Sequence, residues 1–176
     1  MPILSYNYDE GKKATYRIED FSFVNQDSLI FTSANTLGKV HTFNFFFTSC
    51  PSICPPMRLQ QLEIAKTFQE EPKFMQCSIS IDLKRDSIST LKNFADVFEI
   101  NSKNWNLLRA KSEKELHEMA GKLKTNFKPN DDYTDFYHSS YVALIDKEQY
   151  IRGFYNLLLP KDVELLKADI FMLLKD

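Results

Sequence analysis

Residues 42–56 read TFNFFFTSCPSICPP. The aromatic first half is typical of a strand buried on both faces, and an amphipathic helical pattern follows the prolines. Cys50 and Cys54 therefore stand at a strand-to-helix junction, with the spacing C-x-x-x-C. Thiols in that position indicate either redox chemistry or the binding of a soft metal ion.

The composition favours a single domain and argues against a nucleic-acid partner. The chain has 176 residues, of which 43% are hydrophobic, and a net charge of −2 with no basic face or basic tail. We find no apolar run long enough to cross a bilayer and no signal peptide. We expect residues 1–14 to be a disordered or extended segment, frayed and trimmed of a natural anchor, and residues 15–176 to form one domain.

The order of strand and helix patterns predicts the fold class. Strands are expected at 15–18, 21–24, 29–31, 40–47, 75–82, 105–109, 141–145 and 150–154. Helices are expected at 57–70, after an N-cap at Ser87, after a capping box at Ser112 and at 161–174, and 124–136 is a polar loop that includes Asp131 and Asp132. This order indicates an α/β protein with a thioredoxin-like fold, a central and mostly parallel sheet flanked by helices, an N-terminal β extension and an inserted β-α unit. The cysteine pair then lies at the C-terminal end of the first central strand, where α/β folds usually hold their sites.

The cysteine pair is open to several kinds of chemistry. Because Cys50 and Cys54 each precede a proline, we expect a tight loop and a helix that starts near Pro55 or Pro56. A nearby helix N-terminus stabilises thiolate, and two thiolates suit copper(I) or zinc. A disulfide as the pair's sole role stays open. Cys77 falls on the apolar face of an alternating strand, and we interpret it as a buried, inert thiol.

A third ligand has to come from one of three histidines. His41 opens a strand and His117 lies on a helix where we expect exposure, so neither is favoured. His138 comes directly before the strand at 141–145, which lies beside the cysteine-bearing strand in a thioredoxin-like sheet. Redox thioredoxins carry a cis-proline at that point, and this chain has none there. With the two cysteines, His138 completes an S₂N ligand set for copper(I) or copper(II), although zinc and a structural role for His138 stay open.

Three segments together resemble the Sco/SenC family of copper-binding proteins, which act in cytochrome c oxidase assembly. The segments read FFFTSCPSICP at 45–55, SISIDLKRDS at 78–87 and YHSSYVALID at 137–146. The resemblance covers the chain from about Ile18 to Leu174. It implies a thioredoxin-like fold and copper held by Cys50, Cys54 and His138.

The resemblance also implies partners and a location. A copper-receiving subunit of cytochrome c oxidase would take copper into its dinuclear copper centre, and another copper chaperone is a candidate donor. An N-terminal membrane anchor would hold the domain on the periplasmic side of the bacterial inner membrane or in the mitochondrial intermembrane space. Leu83 replaces a proline common in the second segment, and Glu148-Gln149 stands where a glycine often makes the turn. These departures concern the docking surface and not the ligands.

Two functions compete for the thiols. The first is a copper chaperone, and its rival is a thiol-disulfide oxidoreductase that keeps the oxidase's copper-ligating cysteines reduced, with Cys50 and Cys54 as redox-active thiols. A copper-dependent redox sensor and a peroxidase are disfavoured, because no signalling partner and no P-x-x-x-[TS]-x-x-C pattern are visible. Asp82, Arg85 and Asp86 follow the second central strand, where they would orient a ligand, face a partner or form a solvated charged loop.

Overall fold

The computed structural model describes residues 1–130 and 135–176. The strands, in chain order, are β1 (Tyr6–Asp9), β2 (Lys12–Thr15), β3 (Ser22–Asn25), β4 (Ile30–Thr32), β5 (Val40–Phe46), β6 (Phe74–Ser80), β7 (Trp105–Arg109), β8 (Phe127–Pro129), β9 (Phe136–His138), β10 (Tyr141–Ile145) and β11 (Ile151–Asn156). The helices are α1 (Ser33–Thr36), α2 (Cys54–Thr67), α3 (Ile88–Val97), α4 (Glu113–Lys122) and α5 (Pro160–Lys175). Among the described residues, no helix combines the length and the apolar character needed to cross a membrane.

The central sheet has seven strands in the order β11-β10-β5-β6-β7-β3-β4. Strands β5, β6 and β7 are parallel and form its middle, with Phe43 opposite Cys77 and Phe46 opposite Ser80. Antiparallel strands extend this middle on both sides, so the whole sheet is mixed. All seven residues of β5 are buried, as the apolar run of the sequence predicted. The α/β, thioredoxin-like fold class is confirmed.

The core occupies both faces of the sheet because side chains alternate along each strand. On β10, Val142 and Leu144 pack in a cluster with α2 and α5, whereas Ala143 and Ile145 belong to a second cluster that includes α4. Helix α3 lies on the same side as α2, since Arg58 of α2 stacks on Phe98 at the end of α3. Helices therefore flank both faces of the sheet. Cys77 is fully buried in the second cluster, and burial raises the pKa of its thiol, as expected of an inert cysteine.

The predicted helix starts at Ser87 and Ser112 are confirmed by their caps. The hydroxyl of Ser87 accepts a hydrogen bond from the backbone N–H of Thr90, and that of Ser112 accepts one from the N–H of Glu115. Helix α2 begins at Cys54, slightly earlier than predicted. The early start is possible because Pro55 occupies the first turn, where a helix needs no N–H from it.

Two stretches differ from the prediction. Strands β1 and β2 pair in the segment expected to be disordered or extended, and the chain reverses between them at Glu10 and Gly11, which both have positive φ and so suit a tight hairpin turn. The strand expected at 15–18 is wrong, since only Thr15 of that range lies in a strand, as the last residue of β2. Strands β8 and β9 pair antiparallel, and β8 with the first residue of β9 lies within 124–136, where we expected only a loop. The apolar side chains of this hairpin, Phe127 and Phe136, pack on the core. This packing stabilises the hairpin although most of the segment is polar. Asp131 and Asp132 lie outside the described residues.

Candidate metal centre

The cysteine loop joins the end of β5 to the start of α2. Cys54 is the first residue of α2, so its sulfur lies at the helix N-terminus, where the backbone dipoles favour negative charge. Both cysteines are nearly enclosed, with 8% of Cys50 and 6% of Cys54 exposed, and neither forms a disulfide in this structure. The pair is therefore sheltered from bulk water and available as ligands.

A buried carboxylate fixes the loop ahead of Cys50. Asp86 accepts hydrogen bonds from the backbone N–H of Thr48 at 3.0 Å and from its hydroxyl at 2.5 Å. The hydroxyl of Ser80, at the end of β6, donates to the same carboxylate at 2.6 Å. The guanidinium of Arg109 donates to the Asp86 carbonyl at 2.9 Å, which ties the loop to β7 as well. The cysteine loop is thus held against the ends of two central strands.

The β8–β9 hairpin carries His138 to the thiols. The ring of Phe136 packs on that of Phe47, 5.1 Å between centroids, and the His138 imidazole meets Phe47 edge-on at 5.9 Å. Nδ1 of His138 lies 3.1 Å from the carbonyl oxygen of Ser139, while Nε2 lies 3.3 Å from Sγ of Cys54. Contact of Nδ1 with a backbone oxygen leaves Nε2 free to bind a metal ion.

The three predicted ligands come together. Sγ of Cys50, Sγ of Cys54 and a ring nitrogen of His138 all lie within 4.8 Å of one another. Within residues 1–130 and 135–176, this is the one group of histidine, cysteine and acidic side chains close enough to share a metal ion. Two sulfurs and one imidazole nitrogen form a donor set that suits copper(I) and also accepts copper(II) or zinc.

The pKa values of the two thiols are shifted in opposite directions. The Cys54 thiol donates a hydrogen bond to Cys50, which lowers the pKa of Cys50 to about 3 despite its burial, and His138 adds to the effect. The same hydrogen bond, together with burial, raises the pKa of Cys54 well above its usual range. The hydrogen bond therefore favours the pair with a single shared proton over the pair with two thiolates, and a metal ion that binds both sulfurs displaces this proton.

Asp82 and Arg85 follow β6 and lie outside the group of candidate ligands. Asp82 is only 3% exposed and pairs with the Arg85 guanidinium, whose central carbon lies 6.0 Å from the ring centroid of Phe47. Neither Asp82 nor Asp86 belongs to the group of ligand atoms described above. The two carboxylates are buried, whereas Lys84 and Arg85 of the same loop are exposed. Asp86 supports the cysteine loop, and Arg85 reaches the site through the aromatic ring that also contacts His138.

The other histidines take no part in the site. His41 is fully buried in β5, its Nδ1 lies 2.9 Å from the Lys39 carbonyl oxygen, and burial lowers its pKa to about 4. His117 is exposed on α4, as predicted, and stacks on Phe127 with centroids 4.8 Å apart.

Sequence reasoning missed two residues near the thiols. Thr48 binds Asp86 across 38 residues of sequence, and no local pattern marks that pairing. Arg58 follows Cys54 by four residues on α2 and lines the same small cavity. The i to i+4 spacing did contain that information, since such positions share one face of a helix.

The fold and the site define a class, a thioredoxin-like protein with a Cys-Cys-His group at the end of its central strand. The family described as SCO1/SenC matches residues 9–174, and the chain belongs to this family. The SCO1 protein homolog of Bacillus subtilis is 30% identical over 143 residues, which cover 80% of this chain and 74% of that protein.

The solved structures that resemble this chain include members of the Sco family. A SCO1/SenC family lipoprotein from Bacillus anthracis superposes with a TM-score of 0.82 at 27% identity, covering 90% of this chain and 95% of that one. BsSco, described as a member of the Sco family of cytochrome c oxidase assembly proteins with a disulfide switch, gives 0.77 at 28% identity over 90% and 94%. Arabidopsis thaliana ScoI, solved with copper bound, shares the fold with a TM-score of 0.73 at 24% identity over 88% and 96%.

Proposed function

We propose that the protein binds copper and delivers it to the dinuclear copper centre of cytochrome c oxidase. The convergence of the Cys50, Cys54 and His138 ligand atoms within 4.8 Å carries this proposal. Membership of the SCO1/SenC family and the description of BsSco as an oxidase assembly protein support it.

The site suits a cargo that must be held and then released. The Cys50 thiolate is ready to bind copper(I), and Cys54 becomes a second thiolate when it loses its proton. His138, on the two-stranded hairpin, is a half-buried ligand, whereas the cysteines are buried. Release then proceeds by stepwise replacement, with a recipient's ligands taking the His138 position first and the sulfur positions afterwards.

An anaerobic copper(I) titration of the reduced protein tests the proposal. We expect one equivalent to bind tightly and, after oxidation, a thiolate-to-copper(II) charge-transfer band. Cys50→Ala, Cys54→Ala and His138→Ala should each lose that band, while His117→Ala, at the exposed histidine of α4, should keep it. A full band in His138→Ala would refute the ligand set, and failure of the copper-loaded wild type to transfer copper to the oxidase copper subunit would refute the delivery role.

A second function is favoured by the asymmetry of the thiols. A Cys50 thiolate beside a protonated Cys54 is the arrangement that a thiol-disulfide reductase uses. Cys50 would attack a target disulfide and release one thiolate. Cys54 would then lose its proton and attack Cys50, forming the Cys50–Cys54 disulfide and releasing the second thiolate. His138→Ala separates the two functions, because a reductase should keep most of its thiol exchange without the imidazole.

We also propose a membrane-anchored form on the periplasmic side of the bacterial inner membrane, or in the mitochondrial intermembrane space, with a second copper chaperone as donor. The description of the Bacillus anthracis structure as a lipoprotein supports an anchor. Fractionation of cells that express the complete gene product tests the location. Recovery in the cytoplasmic fraction would contradict it.

A further inference from the structure

Arg58 lies one helical turn after Cys54 and faces the same space. Both residues line a small cavity between α2 and α3, together with Phe94. The Arg58 guanidinium carbon lies 3.8 Å from the ring centroid of Phe98 and 5.4 Å from that of Phe94. Stacking on two aromatic rings holds the charge in place, since the ring faces attract cations.

The Arg58 guanidinium has no carboxylate partner among the described residues. Its Nε is buried and, within the part of the chain that the structure describes, has no hydrogen-bond acceptor. No described carboxylate forms an ion pair with it. A half-buried guanidinium without a carboxylate is costly, which calls for another source of negative charge nearby.

The cysteine pair is such a source, because a cysteine that ligates a metal ion does so as a thiolate. Burial lowers the pKa of Arg58, while the thiolates of Cys54 and Cys50 act in the opposite direction. Arg58 in turn acts to lower the pKa of Cys54, although the Cys50 hydrogen bond and burial outweigh it. The position of Arg58 close to Cys54 follows from the aromatic contacts and the shared cavity, and does not depend on any pKa.

We propose that Arg58 is the charge-compensating residue of the metal site and biases it towards copper(I). Two thiolates, a neutral imidazole and copper(I) carry a total charge of −1, whereas the same ligands with copper(II) are neutral. A fixed positive charge beside the sulfurs stabilises the first complex more than the second. It also stabilises the ionised dithiol form relative to the neutral disulfide.

The copper arm of the test rests on the proposed function. Arg58→Met keeps the stem that packs on the aromatic rings and removes the charge, Arg58→Lys keeps a charge, and Arg17→Met removes a charge that stacks on Tyr150 instead. We expect Arg58→Met to lower the ratio of the copper(I) affinity to the copper(II) affinity about tenfold, because the two complexes differ by one unit charge close to the guanidinium, at an effective dielectric constant of about 20. Arg58→Lys and Arg17→Met should keep the wild-type ratio.

The metal-free arm measures the equilibrium of the disulfide with two glutathiones, which yields the dithiol and glutathione disulfide. At pH 10, above the ordinary thiol pKa of about 8.5, Arg58→Met should shift this equilibrium about fivefold towards the protein disulfide, again through the lost Coulomb stabilisation. This arm stands even if the wild type fails to bind copper(I), a result that would remove the proposed function alone. Arg58→Gln replaces Arg58→Met if the latter melts at a much lower temperature.

Three results would overturn the inference. The first is an Arg58→Met protein that equals the wild type in both arms. The second is an Arg58→Lys protein as impaired as Arg58→Met, because loss of packing or shape, and not of charge, would then explain the change. The third is an equal loss of copper(I) and copper(II) affinity in Arg58→Met.

Discussion

The carboxylate of Asp86 accepts hydrogen bonds from both the backbone N–H and the hydroxyl of Thr48, at 3.0 and 2.5 Å. Thr48 lies two residues before Cys50, so this contact sets where the first sulfur emerges from β5. Ser80 adds a third hydrogen bond to the same carboxylate, which is fully buried. The geometry of the thiols therefore depends on a residue that ligates nothing.

Asp86→Ala should weaken both the fold and the site. It leaves the Thr48 and Ser80 donors without their acceptor, which we expect to cost about 2–4 kcal/mol of unfolding free energy. Copper(I) affinity should fall as well, because the loop before Cys50 loses its support. Urea unfolding and copper titration measure the two effects. The control Asp96→Ala, which removes an exposed carboxylate on α3, should change neither by much, and an Asp86→Ala protein of wild-type stability would refute the role.

Phe136→Ala tests whether the hairpin positions His138. The variant removes the ring that packs on Phe47, 5.1 Å away. We expect a stability loss of about 1–2 kcal/mol, since the ring is only half-buried, and about a tenfold loss of copper(II) affinity, the form that depends most on the imidazole. Tyr137→Ala, at the exposed neighbour on β9, is the matched control. Unchanged copper(II) binding in Phe136→Ala would show that His138 is positioned by other contacts.

The sequence indicated the three candidate ligands because their spacing and place in the fold are local information. The C-x-x-x-C pair after an apolar strand, and His138 before the next strand of the sheet, came from the order of the strands, and the resemblance to the Sco/SenC family joined them into one ligand set. The β8–β9 hairpin escaped prediction because its stability comes from Phe127 and Phe136 packing on β5 and the residue after it, contacts distant in sequence. The burial of Asp82 and Asp86 was missed for the same reason, since a charged stretch reads as solvated until its partners are known.

The buried His41 makes the free energy of unfolding depend on pH. In the folded state burial lowers its pKa to about 4, whereas the unfolded value is near 6.5. Below pH 6.5, His41 binds a proton in the unfolded chain but not in the folded chain. The free energy of unfolding therefore falls as the pH drops from 6.5 to about 4. The loss should be about 1.4 kcal/mol per pH unit and about 3 kcal/mol in total.

Denaturant unfolding of the wild type and of His41→Gln between pH 7.5 and 4 measures this contribution. The difference between the two proteins should shrink on acidification, because the variant lacks the titrating group while sharing every carboxylate. Parallel pH profiles would show that folding leaves the pKa of His41 unchanged.

Gly153→Ala should destabilise β11. A Cβ at Gly153 would lie 2.6 Å from the ring carbon Cζ of Tyr155, whose ring covers the glycine and whose hydroxyl donates to Asp169 of α5 at 2.5 Å. We expect a cost of about 1–3 kcal/mol from the forced movement of that ring. Thermal unfolding of the variant measures it. The double variant Gly153→Ala, Tyr155→Leu should show less than the sum of the single costs, and strict additivity would refute the clash.

X-ray absorption spectroscopy of the copper-loaded protein tests the ligand set most directly. The account predicts two sulfur neighbours at about 2.2–2.3 Å and one imidazole nitrogen at about 2.0 Å, by analogy with zinc sites of the same donors. His138→Ala should keep the sulfurs and lose the imidazole. A spectrum with sulfur neighbours alone in the wild type, or one unchanged in His138→Ala, would contradict a copper site built from Cys50, Cys54 and His138.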